Sequence, residues 1–317
     1  MEEEIVLPIN ISGLNSDNSL SAKPSDYVAL SGIKKALEKV GFDITELDLN
    51  CLVNLSIGSP DIHTHIPNSY NIFYSAIENE LKQEEINSLN RADEVWTPTD
   101  FGLEILKQSL DVPVYKVSYG VSGFFMPTKR KTNDVFTFLS IYENNNKHHI
   151  DNVIQAFTSE FGNREDIRLI IKTRSESISI DTVYSNIEII NEVLYQDDYL
   201  RLLQTSNCLI YTSDAESFGF IPLEAIATGM PVISTHNWCQ YKDLIEYKLD
   251  DTSIESISNL IKLAYTNKDT DANSCFYKSF KAHREWQWNE KFIKEAVTRL
   301  KFAHQNSNNK ELNNARV

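Results

Sequence analysis

Apolar and polar positions along the chain follow two rhythms that take turns. Short β-rich runs alternate with stretches whose apolar residues recur near every 3.6 positions. In the front half, Glu4–Ile11 reads as a first strand that ends in Ser12-Gly13. Tyr27–Val40 has helical spacing, and Gly41 follows as a stop. Phe42–Leu49, Cys51–Ile57 and Tyr70–Ala76 read as strands, Gln83–Leu89 as a helix and Glu94–Thr97 as a short buried strand. Pro98-Thr99-Asp100 opens a helix to about Ser109, with Thr99 or Asp100 as its N-cap, and Val112–Ser118 is the next strand.

The back half repeats the alternation. Strands are predicted at Phe136–Ile141, Ile167–Lys172, Ile187–Ile190, Cys208–Thr212 and Val232–Ser234. Helices are predicted at His149–Phe161, Asp197–Gln204, Pro222–Thr228 (stopped by Gly229), Ile254–Tyr265 and Asn289–Phe302. The unbroken apolar run at Cys208–Thr212 suits a strand buried on both faces. Strands alternating with helices imply parallel sheets built from βαβ units. Two such sets imply an α/β protein of two Rossmann-like, doubly wound domains, the first of them short. The expected division is 1–125, 126–290 and a C-terminal helix with tail, 291–317, that can cross back to the first domain. The polar, turn-rich stretch Pro127 to Asp134 supplies a linker. Ligands in such folds lie beyond the C-terminal strand ends, so the site is expected in a cleft between the two domains.

Composition adds limits. The chain has 317 residues, 41% hydrophobic and 24% charged, an ordinary globular balance that excludes disorder and collagen-like repeats. No apolar run approaches the ~20 residues of a membrane span. Met1-Glu2-Glu3-Glu4 lacks the apolar core of a secretory signal. Cys51, Cys208, Cys239 and Cys275 form no C-x-x-C pair, so free thiols in a reducing, cytoplasmic compartment are expected. Net charge is -15, and residues 1–125 hold 8 Lys/Arg against 19 Asp/Glu. Such a front half argues against a nucleic-acid acceptor, which needs a basic surface.

The densest chemistry lies in Ser213 to Pro231, where a buried strand runs into a small polar turn and a short helix. Glu216 falls in the turn and Glu224 about one turn into the helix. Unpaired N–H groups near Phe218-Gly219 at the helix start favour an anion such as a diphosphate. Gly219 admits close approach to the backbone. A carboxylate accepts two hydrogen bonds at once and so suits the vicinal hydroxyls of a ribose or hexose. Two solvated helix-start glutamates would be the plain alternative, which leaves the Ser217-Phe218-Gly219 turn without a purpose.

This stretch resembles the E-x7-E signature of retaining, family-4-type glycosyltransferases (glycosyl transferases group 1) with a GT-B fold. The likeness takes in Asp197–Leu203, Ser206-Asn207-Cys208, Tyr211-Thr212-Ser213, Glu216-Ser217-Phe218-Gly219, Leu223-Glu224-Ala225 and Gly229-Met230-Pro231-Val232-Ile233. It extends back through Phe138-Leu139-Ser140-Ile141 to Lys147, and more faintly over Ala92–Thr99 and Val117–Val121. The resemblance implies transfer of a sugar from a UDP- or GDP-sugar to an acceptor hydroxyl, with retention and no metal or other cofactor. It implies Glu216 and Lys147 as catalytic groups, with Gly13, Lys147, Lys172, Glu216, Ser217, Phe218, Gly219 and Glu224 holding the donor. The family has an Arg before the lysine; here those places are Ile141 and Tyr142, His148 stands where Gly is usual, and Lys172 or Arg174 can supply the charge. A non-catalytic sugar-nucleotide binder, a transferase acting on modified DNA and a sugar phosphorylase share the fold and stay open here.

Two further features need placing. In Asp61-Ile62-His63-Thr64-His65, the resemblance implies that one histidine (His65 is the candidate) sits beside the anomeric carbon; the H-x-H pair can instead ligate a metal with Asp61, although no further ligand group is visible. A plain surface loop is the other option. Phe124-Phe125 followed by Lys129-Arg130-Lys131 suits peripheral contact with an anionic membrane, or else a solvated linker. The acceptor, whether glycan, lipid or protein, is not legible.

Overall fold

A computed structural model describes residues 7–12, 24–46, 48–129, 134–142, 148–173 and 184–314. The chain forms two compact units, Met1–Gly120 with Trp286–Val317, and Val121–Glu285.

The first unit is built on one six-stranded parallel sheet, β1 (Pro8–Ser12), β2 (Asp43–Thr45), β3 (Val53–Ile57), β4 (Tyr70–Tyr74), β5 (Glu94–Thr97) and β6 (Val114–Lys116), in the order β2-β1-β3-β4-β5-β6. Its helices are α1 (Pro24–Lys39), α2 (Gln83–Leu89), α3 (Asp100–Ser109) and, from the end of the chain, α9 (Phe292–Asn314). Thr99 is the N-cap of α3, its side chain accepting from the Gly102 N–H at 3.1 Å. The predicted strand at Phe42–Leu49 shrinks to the three residues of edge strand β2, and Leu49 is exposed. The Asp48 side chain there accepts from the Asn50 N–H, a turn that competes with strand pairing.

The centre of this sheet is polar. Register places Asn10 opposite Asn54 and Asn54 opposite Asn71. The three amides bond in a row, Asn10 Nδ2 to Asn54 Oδ1 at 2.9 Å and Asn54 Nδ2 to Asn71 Oδ1 at 3.1 Å. Asn54 also donates to the Thr64 carbonyl at 2.7 Å, and Asn71 to the Ile66 carbonyl at 2.9 Å. Loop 58–69 is thus fastened to the sheet by side-chain amides, which satisfies buried backbone groups that strand pairing leaves over.

Helix α9 is held to the same sheet by a buried charge. Glu94 is 0% exposed and accepts from Trp96 Nε1 at 2.7 Å, from the Tyr70 hydroxyl at 3.2 Å and from the Arg299 guanidinium. Arg299 also lies 3.4 Å over the Tyr115 ring.

The second unit holds β7 (Phe136–Tyr142), α4 (Ile150–Phe161), β8 (Ile167–Thr173), β9 (Ile187–Asn191), α5 (Gln196–Thr205) and β10 (Cys208–Tyr211). There follow α6 (Phe220–Ala227), β11 (Val232–Thr235), β12 (Tyr247–Leu249), α7 (Ile254–Thr266) and α8 (Lys268–Trp286). All six strands are parallel, in the order β12-β11-β10-β7-β8-β9. The winding direction reverses between β7 and β10, which makes their C-terminal ends the ligand position of a doubly wound sheet.

Helix α8 and strand β12 have no counterpart in the predicted elements. The buried stripe of α8 is Asp271, Cys275, Ser279, Ala282 and Trp286, while Tyr277 is 73% and Phe280 52% exposed. Its inward positions are helically spaced yet mostly small or polar, so the apolar rhythm is absent. Among the described residues no helix is long and apolar enough to cross a membrane.

Removing Arg299 leaves the Glu94 carboxylate buried without its counter-charge. Arg299→Ala is expected to lose about 3 kcal/mol of unfolding free energy in urea. An unchanged midpoint would show that α9 is not held through this pair.

Candidate active site

The polar turn expected to carry the chemistry follows β10, at the strand-order reversal of the second unit. The Glu216 Oε1 accepts from the Tyr211 hydroxyl at 2.9 Å and from Ser213 Oγ at 2.7 Å. His148, which follows β7, sets its Nε2 4.0 Å from the same oxygen and its ring edge-on to Tyr211 at 5.2 Å. The His148 carbonyl accepts from Thr212 Oγ1, so the two connectors on either side of the reversal are stitched together. His149 caps α4 in the left-handed region with φ 46°, and its Nε2 lies 2.7 Å from Asp214 Oδ2. The sequence pattern gives these two histidines only as loop; their pairing with acids two residues apart becomes visible once β7 and β10 are neighbours.

The helix after the turn begins at Phe220, two residues before the predicted start at Pro222. Proline lacks an N–H and is tolerated in the first turn, where that donor would be unpaired anyway. Gly219 has φ 79°, and a Cβ there would lie 2.3 Å from the Trp238 ring and 2.7 Å from the Tyr241 hydroxyl. The fold itself therefore demands glycine at this position. Trp238 Nε1 donates to the Ser213 carbonyl at 3.1 Å, and the Tyr241 hydroxyl to the Gly219 carbonyl. Phe218 is fully buried against Phe220 and Tyr241, and Ser217 is buried beside it.

Glu224 is the one charged residue of α6, and the helix is buried from Pro222 to Ala227. Its Oε2 accepts from the Tyr199 hydroxyl of α5 at 2.8 Å. Burial pushes the Glu224 carboxyl up to about 7, while the Tyr199 hydroxyl pulls it down. The site thus offers one carboxylate pinned in a turn and a second sunk in an apolar helix, both at the C-terminal ends of parallel strands.

The other expected site residues are dispersed. Gly13, Lys147 and Arg174 lie outside the described residues. Lys172 is buried, and its Nζ donates to the Thr173 carbonyl at 2.7 Å and the Glu192 carbonyl at 2.5 Å, so its ammonium is directed at backbone at the ends of β8 and β9. His65 belongs to the first unit and is partly exposed. Its neighbour His63 is buried, stacked on Phe73 at 4.6 Å, with Nδ1 3.2 Å from Ser56 Oγ and Nε2 2.6 Å from Ser75 Oγ. Burial lowers His63 to about 3, so it stays neutral. Both its nitrogens are engaged, which removes the H-x-H pair as a two-histidine metal ligand. Phe125, half of the apolar pair expected at an interface, is 5% exposed and packs edge-on to Tyr199 at 6.0 Å. It is a core residue, while its neighbour Phe124 is partly exposed.

Residues 124–275 match the family model "Glycosyl transferases group 1". An N-acetyl-α-D-glucosaminyl L-malate synthase of Bacillus anthracis is 26% identical over 202 residues, which cover 62% of this chain and 48% of that protein. The chain therefore aligns with about half the length of that curated relative. A solved glycosyltransferase from Rickettsia africae superposes with a TM-score of 0.69 at 12% identity, covering 94% of this chain and 99% of that one. A sucrose-phosphate synthase from Thermosynechococcus elongatus gives 0.68 at 13% identity, with the same coverage. Residues 124–275 are thus similar to the glycosyl transferases group 1 domain, and the two Rossmann-like units have the fold of GT-B glycosyltransferases.

The left-handed turn can be tested directly. Gly219→Ala combines an unfavourable φ with a clash against Trp238 and is expected to cost about 2 kcal/mol or more in denaturant unfolding. A variant as stable as the parent would show that the turn is free to rearrange.

Proposed function

We propose that this protein is a glycosyltransferase that moves a sugar from a nucleotide-diphosphate donor to an acceptor hydroxyl with retention of configuration. The observation that carries the reading is the pair of carboxylates, Glu216 and Glu224, set in the turn and helix after β10 of a group 1 domain, at the strand-order reversal.

Glu224 accepts the ribose hydroxyls. A carboxylate in a water-poor wall recognises a diol because an analogue without those hydroxyls leaves the charge unpaired. Glu216 accepts hydroxyls of the transferred sugar, its position fixed by Tyr211 and Ser213. The diphosphate lies at the start of α6, beside the N–H groups of Phe220 and Ile221, with Lys147 as counter-charge. These donors stabilise the negative charge that grows on the leaving diphosphate. In the transfer the bond from the anomeric carbon to the diphosphate oxygen breaks. The acceptor oxygen bonds that carbon on the same face, and the acceptor proton passes to a donor phosphate oxygen. No side chain forms a covalent intermediate. The acceptor side is assigned to residues 1–125, where His65 is the histidine left to meet substrate.

Thermal shift against UDP, GDP, ADP and their common sugar conjugates tests this reading. A ligand at 100 times its Kd adds about 2.7 kcal/mol to the folded state. One nucleotide is expected to shift the parent and to lose its effect on Glu224→Ala. Glu216→Ala should keep the free nucleotide and lose turnover of the sugar conjugate by about 100-fold, the size expected for a charge-stabilising contact. Parent-like turnover in both variants would contradict the site.

A further inference from the structure

Glu224 stands in a helix with no other polar side chain, yet only one of its oxygens is engaged. Oε2 takes the Tyr199 hydroxyl at 2.8 Å, and Oε1 has no hydrogen-bond partner among the described residues. Glu224 is 7% exposed and Oε1 is not one of the sealed, unpartnered side-chain atoms, so the oxygen left over is the one open to a ligand donor.

Tyr199 is itself held in place. It is partly buried on α5, where Leu202 and Leu203 are buried, and its ring meets the edge of Phe125 at 6.0 Å. The Phe125 carbonyl accepts from His283 Nε2 at 2.9 Å, and the same nitrogen lies 3.3 Å from the Ala227 carbonyl at the end of α6. The ring that carries the hydroxyl and the helix that carries the carboxylate are therefore referred to one imidazole on α8.

We propose that Tyr199 is a positioning residue for nucleoside recognition: its hydroxyl occupies Oε2 of Glu224 and thereby turns Oε1, alone, toward the vicinal hydroxyls of a ribose. This rests on the assignment of Glu224 to the donor ribose made above. The bond also favours the ionised carboxylate, because the hydroxyl donates to it. Of the ionisable groups on the elements packed around α6, Tyr199 of α5 bonds Glu224 itself, His283 of α8 meets the last turn of α6, and Tyr211 of β10 bonds Glu216 of the preceding turn. Asp197, Asp198 and Arg201 of α5 and Cys208 of β10 make no contact with Glu224, Asp271, Cys275 and Lys278 of α8 pair with Tyr247 and Glu246, and β11 contributes none.

Ionised Glu224 is the better acceptor for ribose hydroxyls, so nucleotide affinity rises as pH passes upward through about 7. Removing the Tyr199 hydroxyl raises the carboxyl further and moves that rise to higher pH.

The experiment is calorimetric titration of the full chain with UDP and GDP, and with their 2′-deoxy forms, from pH 6 to 9. The parent, Tyr199→Phe, Glu224→Gln and Glu224→Ala are compared, with thermal melting as the check on folding. Tyr199→Phe keeps the ring against Phe125. It is expected to bind the tighter nucleotide about tenfold more weakly at pH 7, the size of one hydrogen bond to a charged group. Its preference for ribo over 2′-deoxy should shrink, and most of the loss should return by pH 9. Glu224→Gln is expected to give a flat pH profile. A Tyr199→Phe variant with the parent's affinity, sugar preference and pH midpoint, while Glu224→Ala loses binding, would overturn the positioning role and leave the site reading standing. Absence of nucleotide binding by the parent, or a Glu224→Gln variant with the parent's pH profile, would overturn the reading on which the proposal rests.

Discussion

A carboxylate inside an apolar helix is the constraint around which the second unit is arranged. Helix α6 is buried from Pro222 to Ala227, and Glu224 is 7% exposed. An unpaired charge in such a place costs several kcal/mol, so the helix is admissible only where a neighbour donates to it. That neighbour is Tyr199, which requires α5 to lie against α6 at one rotation. The entry to the helix is equally determined. Gly219 must take a left-handed conformation with no side chain, because Trp238 and Tyr241 fill the space a Cβ would need. The same two aromatics tie down the carbonyls of Ser213 and Gly219, and between those anchors hangs Glu216. Tyr199 thus holds Glu224, while Trp238 and Tyr241 hold the turn that bears Glu216.

The first unit solves a related problem with neutral groups. Its sheet carries Asn10, Asn54 and Asn71 at its centre, paired side by side, and these amides pin the loop that bears His63 and His65. The loop buries one histidine as a neutral core residue and leaves the other partly exposed. Charge enters this unit's interior through Glu94, answered by Arg299 from the final helix, which makes the end of the chain part of the first unit's core. Both units bury polarity at the places that define them.

Much of this was readable from residue pattern. Strands such as Cys208–Tyr211 and Ile167–Thr173 are continuous apolar runs, and a strand buried on both faces leaves no other trace. The group 1 match over 124–275 agrees with the group 1 likeness of the Ser213–Pro231 stretch. What escaped notice did so for physical reasons. Helix α8 buries Asp271, Cys275 and Ser279 while exposing Tyr277 and Phe280, which inverts the usual signal. Phe124-Phe125 beside three cations has the composition of an interface, but Phe125 is consumed by packing on Tyr199. Tyr199 itself hides in an amphipathic stripe, since its ring obeys the apolar period and only its hydroxyl departs from it. Lys172 has the charge and the address expected of a phosphate ligand, and only three-dimensional contacts show it donating to Thr173 and Glu192. Hydrogen bonds between residues distant in sequence leave no periodic mark.

Glu224 is a buried carboxylate with one oxygen left for a hydroxyl donor. The most direct measurement is its titration by carboxyl-carbon NMR in the full chain, with the resonance assigned through Glu224→Gln, with and without saturating nucleotide diphosphate. The expected result is a midpoint near 7 in the free protein and a downward move when ribose hydroxyls donate to the carboxylate. A midpoint in the ordinary carboxylate range, unmoved by nucleotide, would contradict it.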